Sequence, residues 1–154
     1  MLRNALLLIL LAFPSSALAQ SAEQEVMATV QRLFDGMRAG DSTVVRSVFH
    51  SNARLVSVGT REGAPVLRED AIDAFVAAVG TPHDEVWDER IWNTQVRVDG
   101  NLATAWMDYA FYLGERLSHC GVNAFQLFRG PEGWKVIQIA DTRRREGCQS
   151  PPGE

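Results

Sequence analysis

The residues best suited to chemistry fall on two predicted strands that are joined by a tight turn. Residues 117–143 read LSHCGVNAFQLFRGPEGWKVIQIADTR, with the turn at Gly-Pro-Glu-Gly. The ends of these strands that lie far from the turn carry four polar side chains: His119, Asn123, Asp141 and Arg143. Histidine and aspartate can transfer protons, an amide can orient a carbonyl or hydroxyl group, and arginine can bind a carboxylate or phosphate. This end of the hairpin is therefore the first candidate for a site.

The register of the hairpin decides which of these side chains share a face. If Arg129 faces Gly133 across the turn, Asn123 lies opposite Ile139 and His119 lies opposite Arg143. Cross-strand partners share one face. That face then begins near the turn with the apolar residues Phe125, Leu127 and Ile137. A grading from apolar to polar residues is typical of a ligand cavity.

The strand before this hairpin supplies further candidates. A two-residue turn at residues 114–115 pairs Leu113 with Arg116 and adds three side chains to the polar face: Trp106, Asp108 and Tyr112. A slip of one residue would replace them with Met107, Tyr109 and Phe111. In the predicted register the opposite face is apolar and is expected to meet a second subunit. Its members are Tyr109, Phe111, Val122, Ala124, Phe128, Trp134 and Val136.

His119 is the leading acid or base, because its ordinary pKa is near neutrality and Asp141, diagonally across the hairpin, could orient the ring. Asp108 is a second candidate base, and Arg143 could bind an anionic group. Three interpretations remain open: a structural ionic network, ligand binding without chemistry, and catalysis. Tyr112, Trp106, Ser57 and Phe125 are predicted to contact a ligand together with Asn123 and Arg143.

The first residues predict a secretory signal peptide. Arg3 precedes an apolar run, and Ala17-Leu18-Ala19 provides a small-residue cleavage site before Gln20. The run is too short to span a bilayer. We therefore expect a signal peptide at residues 1–19, one domain at residues 20–146 and a tail at residues 147–154. We therefore expect the mature protein to be secreted or exported to a periplasm, and we expect it to have no membrane attachment after the signal peptide is cleaved.

The net charge bears on the expected partners of the chain, and the cysteine content bears on its cross-links. The whole chain has a net charge of −4, and removal of Arg3 with the signal makes it about −5. This balance does not favour nucleic acid. The two cysteines, Cys120 and Cys148, are expected to form a disulfide in an oxidising compartment. The alternative is two independent thiols.

The remaining pattern predicts an α+β fold. Ser21 and Gln24 form a capping box before a helix that ends at Gly40, and Asp41 begins a second, short helix. A strand at residues 53–59, a polar loop at residues 60–68 and a third helix at residues 69–79 follow. From residue 86 onward the signal is that of antiparallel strands. Helices followed by a meander predict helices packed on one side of a curved sheet.

This order of elements resembles the nuclear transport factor 2-like (NTF2-like) superfamily, which includes SnoaL-like and lumazine-binding-like proteins. The similar segments are QRLFDGMRAGD, SVFHSNARLVSV and EGWKVIQIADT. The resemblance implies a cone-shaped α+β fold with three helices in a curved antiparallel sheet, one cavity and, commonly, a homodimer. Its members include isomerases, dehydratases, hydrolases and binders without catalysis, so the fold alone does not choose the function.

The ketosteroid isomerases of this superfamily provide a residue-level comparison. Their helix motif VQRY is similar to residues 30–33 here, and their oxyanion tyrosine corresponds to Leu33. Their general-base aspartate corresponds to Ser57, and their second oxyanion donor corresponds to Asn123. The resemblance therefore implies a cavity that can still orient a carbonyl or hydroxyl group, without steroid-isomerase chemistry.

No motif in the sequence indicates a cofactor or metal. HExxH, CxxC, Walker A and G-x-G-x-x-G patterns are absent, and His119 is the only histidine expected in the cavity. The leading hypothesis is a homodimeric binder of a small, partly apolar molecule. The alternatives are a cofactor-independent isomerase, dehydratase or hydrolase, and a protein–protein interaction module.

Overall fold

A computed structural model describes residues 21–149 and 151–153 of the chain. The helices are α1 (Ala22–Ala39), α2 (Ser42–Val48) and α3 (Ile72–Gly80). The strands are β1 (Phe49–Arg61), β2 (Ala64–Asp70), β3 (Trp87–Asp99), β4 (Leu102–Leu113), β5 (Arg116–Gly130) and β6 (Gly133–Thr142). The expected signal peptide, with its cleavage site after Ala19, lies outside the described residues. No helix within the described part of the chain is long and apolar enough to cross a membrane.

Helix α1 begins and ends where its sequence signals predict. The backbone N–H of Ser21 donates to Gln24 Oε1 at 2.9 Å, and Ser21 Oγ accepts from the Gln24 backbone N–H at 3.3 Å. Gly40 ends the helix in the left-handed conformation, with φ of 65°. Its apolar stripe is buried against the sheet and consists of Val26, Val30, Leu33, Phe34 and Met37.

The six strands form one curved, open sheet in the order β2-β1-β6-β5-β4-β3. Strands β1 and β6 run parallel, and the other neighbours are antiparallel. The helices pack on the inner face, which is defined here as the face that carries Phe125 and Leu127. The architecture is therefore the α+β fold predicted from the order of elements.

The prediction of a polar loop at residues 60–68 is wrong, because these residues form the end of β1, the turn and most of β2 in the β1–β2 hairpin. Glu62 and Gly63 at its turn both have positive φ, 54° and 80°. Positive φ at both central residues is typical of the tight turns that match strand twist. A glutamate at such a position is a weak turn signal, so the sequence did not reveal the hairpin. Helix α3 consequently begins at Ile72, after the strand has ended.

The pairing of β5 with β6 differs from the prediction by two residues at its open end. Asn123 lies opposite Asp141, and Phe125 lies opposite Ile139. A register irregularity around Ile137 lies between this segment and the turn. A shift of two keeps the predicted inner residues on the same face, because strand side chains alternate with a period of two. Near the turn, however, the inner residue is Val136 instead of Ile137.

The predicted pairing of β4 with β5 is wrong by one residue over most of its length. Tyr112 pairs with Leu117, but Phe111 pairs with His119, so Ser118 is an extra residue in β5. Because of this bulge, the β4 side chains that were predicted to point to the inner face point to the outer face, and the reverse. The inner face therefore carries Met107, Tyr109 and Phe111, and the outer face carries Trp106, Asp108 and Tyr112.

The apolar outer face expected from the sequence is correspondingly smaller. Tyr109 and Phe111 face the helices because of the bulge at Ser118. Trp134 and Val136 also belong to the buried core. The outer face keeps Val122, Ala124 and Phe128 and gains Trp106. This face is therefore mixed in polarity.

The C-terminal tail is joined to β5 by a disulfide between Cys120 and Cys148, whose Cα atoms are 5.7 Å apart. Cys120 and Arg144 also exchange two backbone hydrogen bonds of 2.9 Å. Cys120 is only 1% exposed and points away from the face that carries His119. The tail therefore packs against the outer side of β5, behind the polar end of the hairpin.

Candidate functional site

A cavity of about 490 Å³ lies between the inner face of the sheet and helices α1 and α3. Most of its wall is apolar, with large side chains from both helices and sheet: Phe34, Met37, Phe75, Phe111, Phe125 and Ile139. Phe34 and Phe125 meet edge to face, with ring centroids 6.1 Å apart. These side chains line the cavity and leave it open. The volume is within the range of pockets for small organic molecules.

The polar end of the cavity is built on one row of residues across four strands. Met107, Asn123, Asp141 and Ser57 pair in that order from β4 to β1. Ser57 Oγ donates to Asp141 Oδ1 at 2.6 Å. Arg143 follows two residues after Asp141 on the same face, and its Nε donates to Asp141 Oδ2 at 2.6 Å. The row therefore presents an ion pair and an amide to the cavity.

Tyr109 reaches this row from the neighbouring strand. Its hydroxyl group donates to the backbone carbonyl of Thr142 at 2.9 Å and lies 3.3 Å from Asp141 Oδ2. Burial, followed by the charges of Asp141 and Glu89, raises the pKa of Tyr109 above its ordinary value. The phenol consequently stays protonated and acts as a donor.

Asp141 is a fully engaged carboxylate. It accepts hydrogen bonds from Ser57, Tyr109 and Arg143. Burial alone would lower the pKa of Arg143, but the hydrogen bond and the charge of Asp141 outweigh it and raise that pKa. The two side chains form a compensated ion pair. This pair positions the polar end of the cavity, and both carboxylate oxygens of Asp141 have hydrogen-bond partners within the protein.

Glu89, on β3, is a cavity residue that the sequence analysis missed. Asn123, which is 4% exposed, donates from Nδ2 to Glu89 Oε1 at 2.6 Å. Burial raises the pKa of Glu89 from 4.5 to about 7, against the hydrogen bond from Asn123 and with support from the charge of Asp141. A substantial fraction of Glu89 therefore carries a proton at neutral pH, and nearly all of it does at mildly acidic pH. The available signal was alternation, because Glu89 lies between Trp87 and Ile91, which pack against the core.

His119 lies in the cavity wall, but it does not form the predicted contact with Asp141. Its ring packs against the rings of Phe111 and Tyr109, with centroid distances of 5.0 and 5.7 Å. Its Nδ1 lies 3.1 Å from Ser118 Oγ. Burial, followed by the positive charge of Arg143, lowers the pKa of His119 to about 4. The imidazole is therefore neutral at neutral pH.

Six of the nine residues predicted for catalysis or ligand contact line the cavity together: His119, Asp141, Asn123, Arg143, Ser57 and Phe125. The placement of the other three in the cavity was wrong, because the bulge at Ser118 turns them outward. Asp108 accepts a hydrogen bond from Asn93 Nδ2 at 2.8 Å. Tyr112 lies under the Arg90 guanidinium, 4.3 Å from the ring centroid. Trp106 is 54% exposed.

The described residues include no group of three or more His, Cys, Asp and Glu side chains that could hold a metal ion. The polar residues of the cavity can nevertheless donate and accept hydrogen bonds. They can also exchange protons through Glu89 and His119. The arrangement can therefore bind and orient an organic molecule through its polar groups.

Comparison with known protein families shows which family this chain belongs to. A family model described as lumazine-binding matches residues 21–138, which is more than half of the sequence. The chain belongs to the lumazine-binding-like family. This family lies within the NTF2-like superfamily that the sequence motifs resemble. No curated protein matches the sequence at a significant level.

Solved structures agree with this assignment at the level of the fold. An NTF2-like protein with a cystatin-like fold from Novosphingobium aromaticivorans has a TM-score of 0.64 and 16% identity, covering 80% of this chain and 82% of its own. An NTF2-like protein from Shewanella baltica has a TM-score of 0.61 and 17% identity, covering 79% and 93%. A candidate dehydratase of the NTF2-like family from Streptomyces avermitilis has a TM-score of 0.58 and 16% identity, covering 80% and 96%.

Proposed function

We propose that this lumazine-binding-like protein binds a small, partly apolar organic molecule in the cavity between its helices and sheet. The observation that carries the proposal is the polarity of the cavity, with aromatic and aliphatic walls and polar groups gathered around Asn123. An apolar body can be desolvated against the walls while its polar group is oriented at that end. Membership of a lumazine-binding-like family supports a ligand of this kind.

A matched pair of variants tests this proposal. Ala78 lines the cavity on α3, whereas its neighbour Ala77 does not. Ala78→Trp should occupy space in the cavity, and Ala77→Trp adds the same side chain at the exposed surface of the same helix. Native mass spectrometry of the mature protein from its own secretory compartment should show a bound small molecule. Denaturation then releases that molecule for identification.

The expected result is a bound molecule in the wild type and in Ala77→Trp, and its loss in Ala78→Trp. An empty wild type, with no thermal shift from a broad panel of metabolites, would contradict the proposal. Equal occupancy in both variants would place the bound molecule elsewhere. Either result would favour the alternative hypothesis that the chain is a protein–protein interaction module.

We also propose that the mature chain acts in the periplasm or outside the cell, as a homodimer formed through the outer sheet face. Trp106, Ala124 and Ala140 pair across β4, β5 and β6 on that face. Such a row provides one large and two small side chains for packing. Sedimentation should give a dimer that Trp106→Glu weakens and that Val86→Glu, at another exposed apolar residue, leaves intact. A monomeric wild type would contradict this assembly.

The alternative function is a cofactor-independent isomerase, dehydratase or hydrolase. The observation that favours it is the presence of two groups that can exchange protons, Glu89 and His119, in one cavity. The sequence predicts His119 as the leading catalytic residue, and in the cavity its companion is Glu89 instead of Asp108. Catalysis would make turnover fall in His119→Ala while affinity for the molecule largely survives.

A further inference from the structure

Glu89 has an orientation that is set by its neighbour on β5. Asn123 Nδ2 is a donor only, and it lies 2.6 Å from Glu89 Oε1. Oε1 therefore acts as the acceptor. The carbonyl oxygen of a carboxylic acid is a better acceptor than its hydroxyl oxygen, so this contact favours the proton of a neutral Glu89 on Oε2. The amide thus selects which carboxyl oxygen carries the O–H group.

The second oxygen of Glu89 is available to a ligand. Among residues 21–149 and 151–153, no other hydrogen bond to the Glu89 side chain is formed. The same residues contain no buried side-chain oxygen or nitrogen that lacks a partner. Oε2 is therefore accessible, and Glu89 lines the cavity. An O–H group on this atom can donate to a molecule inside the cavity.

The charges around Glu89 compensate one another. The other titratable residues that line the cavity are Asp70, Tyr109, His119, Asp141 and Arg143. Arg143 is paired with Asp141, and Asp70 lies 2.9 Å from Arg68. The cavity side of α1 contributes only apolar side chains: Leu33, Phe34 and Met37. An anionic ligand would thus meet carboxyl groups and no unengaged cation from these residues.

We propose that the ligand is an uncharged molecule with an apolar ring system and a hydrogen-bond acceptor, and that the Glu89 carboxyl group donates the hydrogen bond that recognises this acceptor. A carbonyl oxygen or an unprotonated ring nitrogen has the required chemistry. This inference rests on the proposed function, because it specifies the ligand of the same cavity. It names Glu89 as the residue that determines specificity.

A set of naphthalene probes separates the relevant ligand classes. Methyl naphthyl ketone carries a neutral acceptor, naphthoate an anion and naphthylmethylammonium a cation, while naphthalene carries no polar group. Binding is measured with the mature wild type by calorimetry at about pH 5.5 and about pH 8.5, on either side of the Glu89 titration. At the lower pH the ketone should bind roughly tenfold more tightly than naphthalene or naphthoate. Its affinity should fall roughly tenfold or more at the higher pH.

Glu89→Gln provides the decisive variant. The glutamine carbonyl can still accept from Asn123, while its NH₂ group donates at every pH. The variant should bind the ketone at both pH values with nearly equal affinity. Glu89→Leu should bind the ketone no better than naphthalene. Asp108→Asn, on the outer face, should keep the wild-type affinities and their pH dependence.

The outcomes distinguish this inference from the proposed function. Equal affinity of the wild type for the ketone, naphthoate and naphthalene would overturn the inference while the cavity remains a binding site. Tightest binding of the cation would overturn it as well, because Glu89 would then act as a carboxylate. Failure of the ketone to bind at either pH would overturn the inference, whereas the proposed function is contradicted only by an empty wild type that no molecule of the broad panel stabilises. Unchanged pH dependence in Glu89→Gln would remove Glu89 from recognition of the acceptor.

Discussion

Tyr109 lies directly opposite Gly121, and the tyrosine ring occupies space that a side chain at residue 121 would need. A Cβ atom on Gly121 would lie 2.9 Å from Tyr109 Cε1 and 1.8 Å from the carbonyl oxygen of Thr142. The absence of a side chain at Gly121 therefore allows the phenol to cross β5 and reach β6. The polar end of the cavity depends on this close approach.

Gly121→Ala should strongly destabilise the protein. The nearest clash is with a backbone atom, which cannot move away by a change of rotamer, so we expect a loss of about 3 kcal/mol or more in the free energy of unfolding. Gly59→Ala is the matched control in β1, because its new Cβ atom would meet nothing closer than 3.8 Å. Urea denaturation measures both variants. A loss of similar size in the two would contradict the steric argument.

Tyr109→Phe should cost about 1 to 2 kcal/mol of unfolding free energy, because the carbonyl of Thr142 and the carboxylate of Asp141 lose a donor. The ring and its packing are retained. Tyr112→Phe removes a hydroxyl group from the outer face and should change stability by less than about 0.5 kcal/mol. Thermal and urea denaturation of the pair would reveal the difference. Equal stabilities would show that the hydroxyl group of Tyr109 contributes nothing to the fold.

Glu89→Gln should change the pH dependence of stability. The pKa of Glu89 rises from 4.5 to about 7 on folding, so its contribution is fully present below pH 4.5 and is lost as the pH rises through about 7. The variant should therefore gain up to roughly 3 kcal/mol relative to the wild type between acidic and mildly alkaline pH. Urea denaturation across this range measures the gain. Parallel pH profiles for the two proteins would contradict a pKa of Glu89 that is raised on folding.

Cys148→Ser should release the C-terminal tail from β5. The disulfide joins cysteines that are 28 residues apart, and a cross-link over such a loop contributes roughly 3 to 4 kcal/mol in the chain-entropy description. Residues 144–149 should become more susceptible to proteases in the variant, as limited proteolysis with mass spectrometry can detect. The wild type treated with a reductant should behave in the same way. Unaltered cleavage and stability would show that the backbone hydrogen bonds between Cys120 and Arg144 suffice.

The faces of β5 and β6 could be predicted because alternation tolerates an error of two residues. The predicted register has Asn123 opposite Ile139, whereas Asn123 pairs with Asp141 in the structure. Asn123 and Asp141 nevertheless both lie on the inner face. The prediction for β4 has an error of one residue, and such an error reverses the two faces of a strand. One extra residue, Ser118, reversed that strand and moved Asp108 and Trp106 out of the cavity. Serine in a strand does not mark a bulge in the way that a glycine often does.

The sequence by itself determined the three helices and the strands other than β2, the caps of α1 and the superfamily resemblance, because these depend on local periodicity and residue preferences. The tertiary structure decided which side chains meet in the cavity. Glu89 and Asn123 are 34 residues apart in the chain, and their contact depends on the register of three strands together. Register follows from bulges and from the competition of whole strand faces for burial. No short stretch of sequence contains that information.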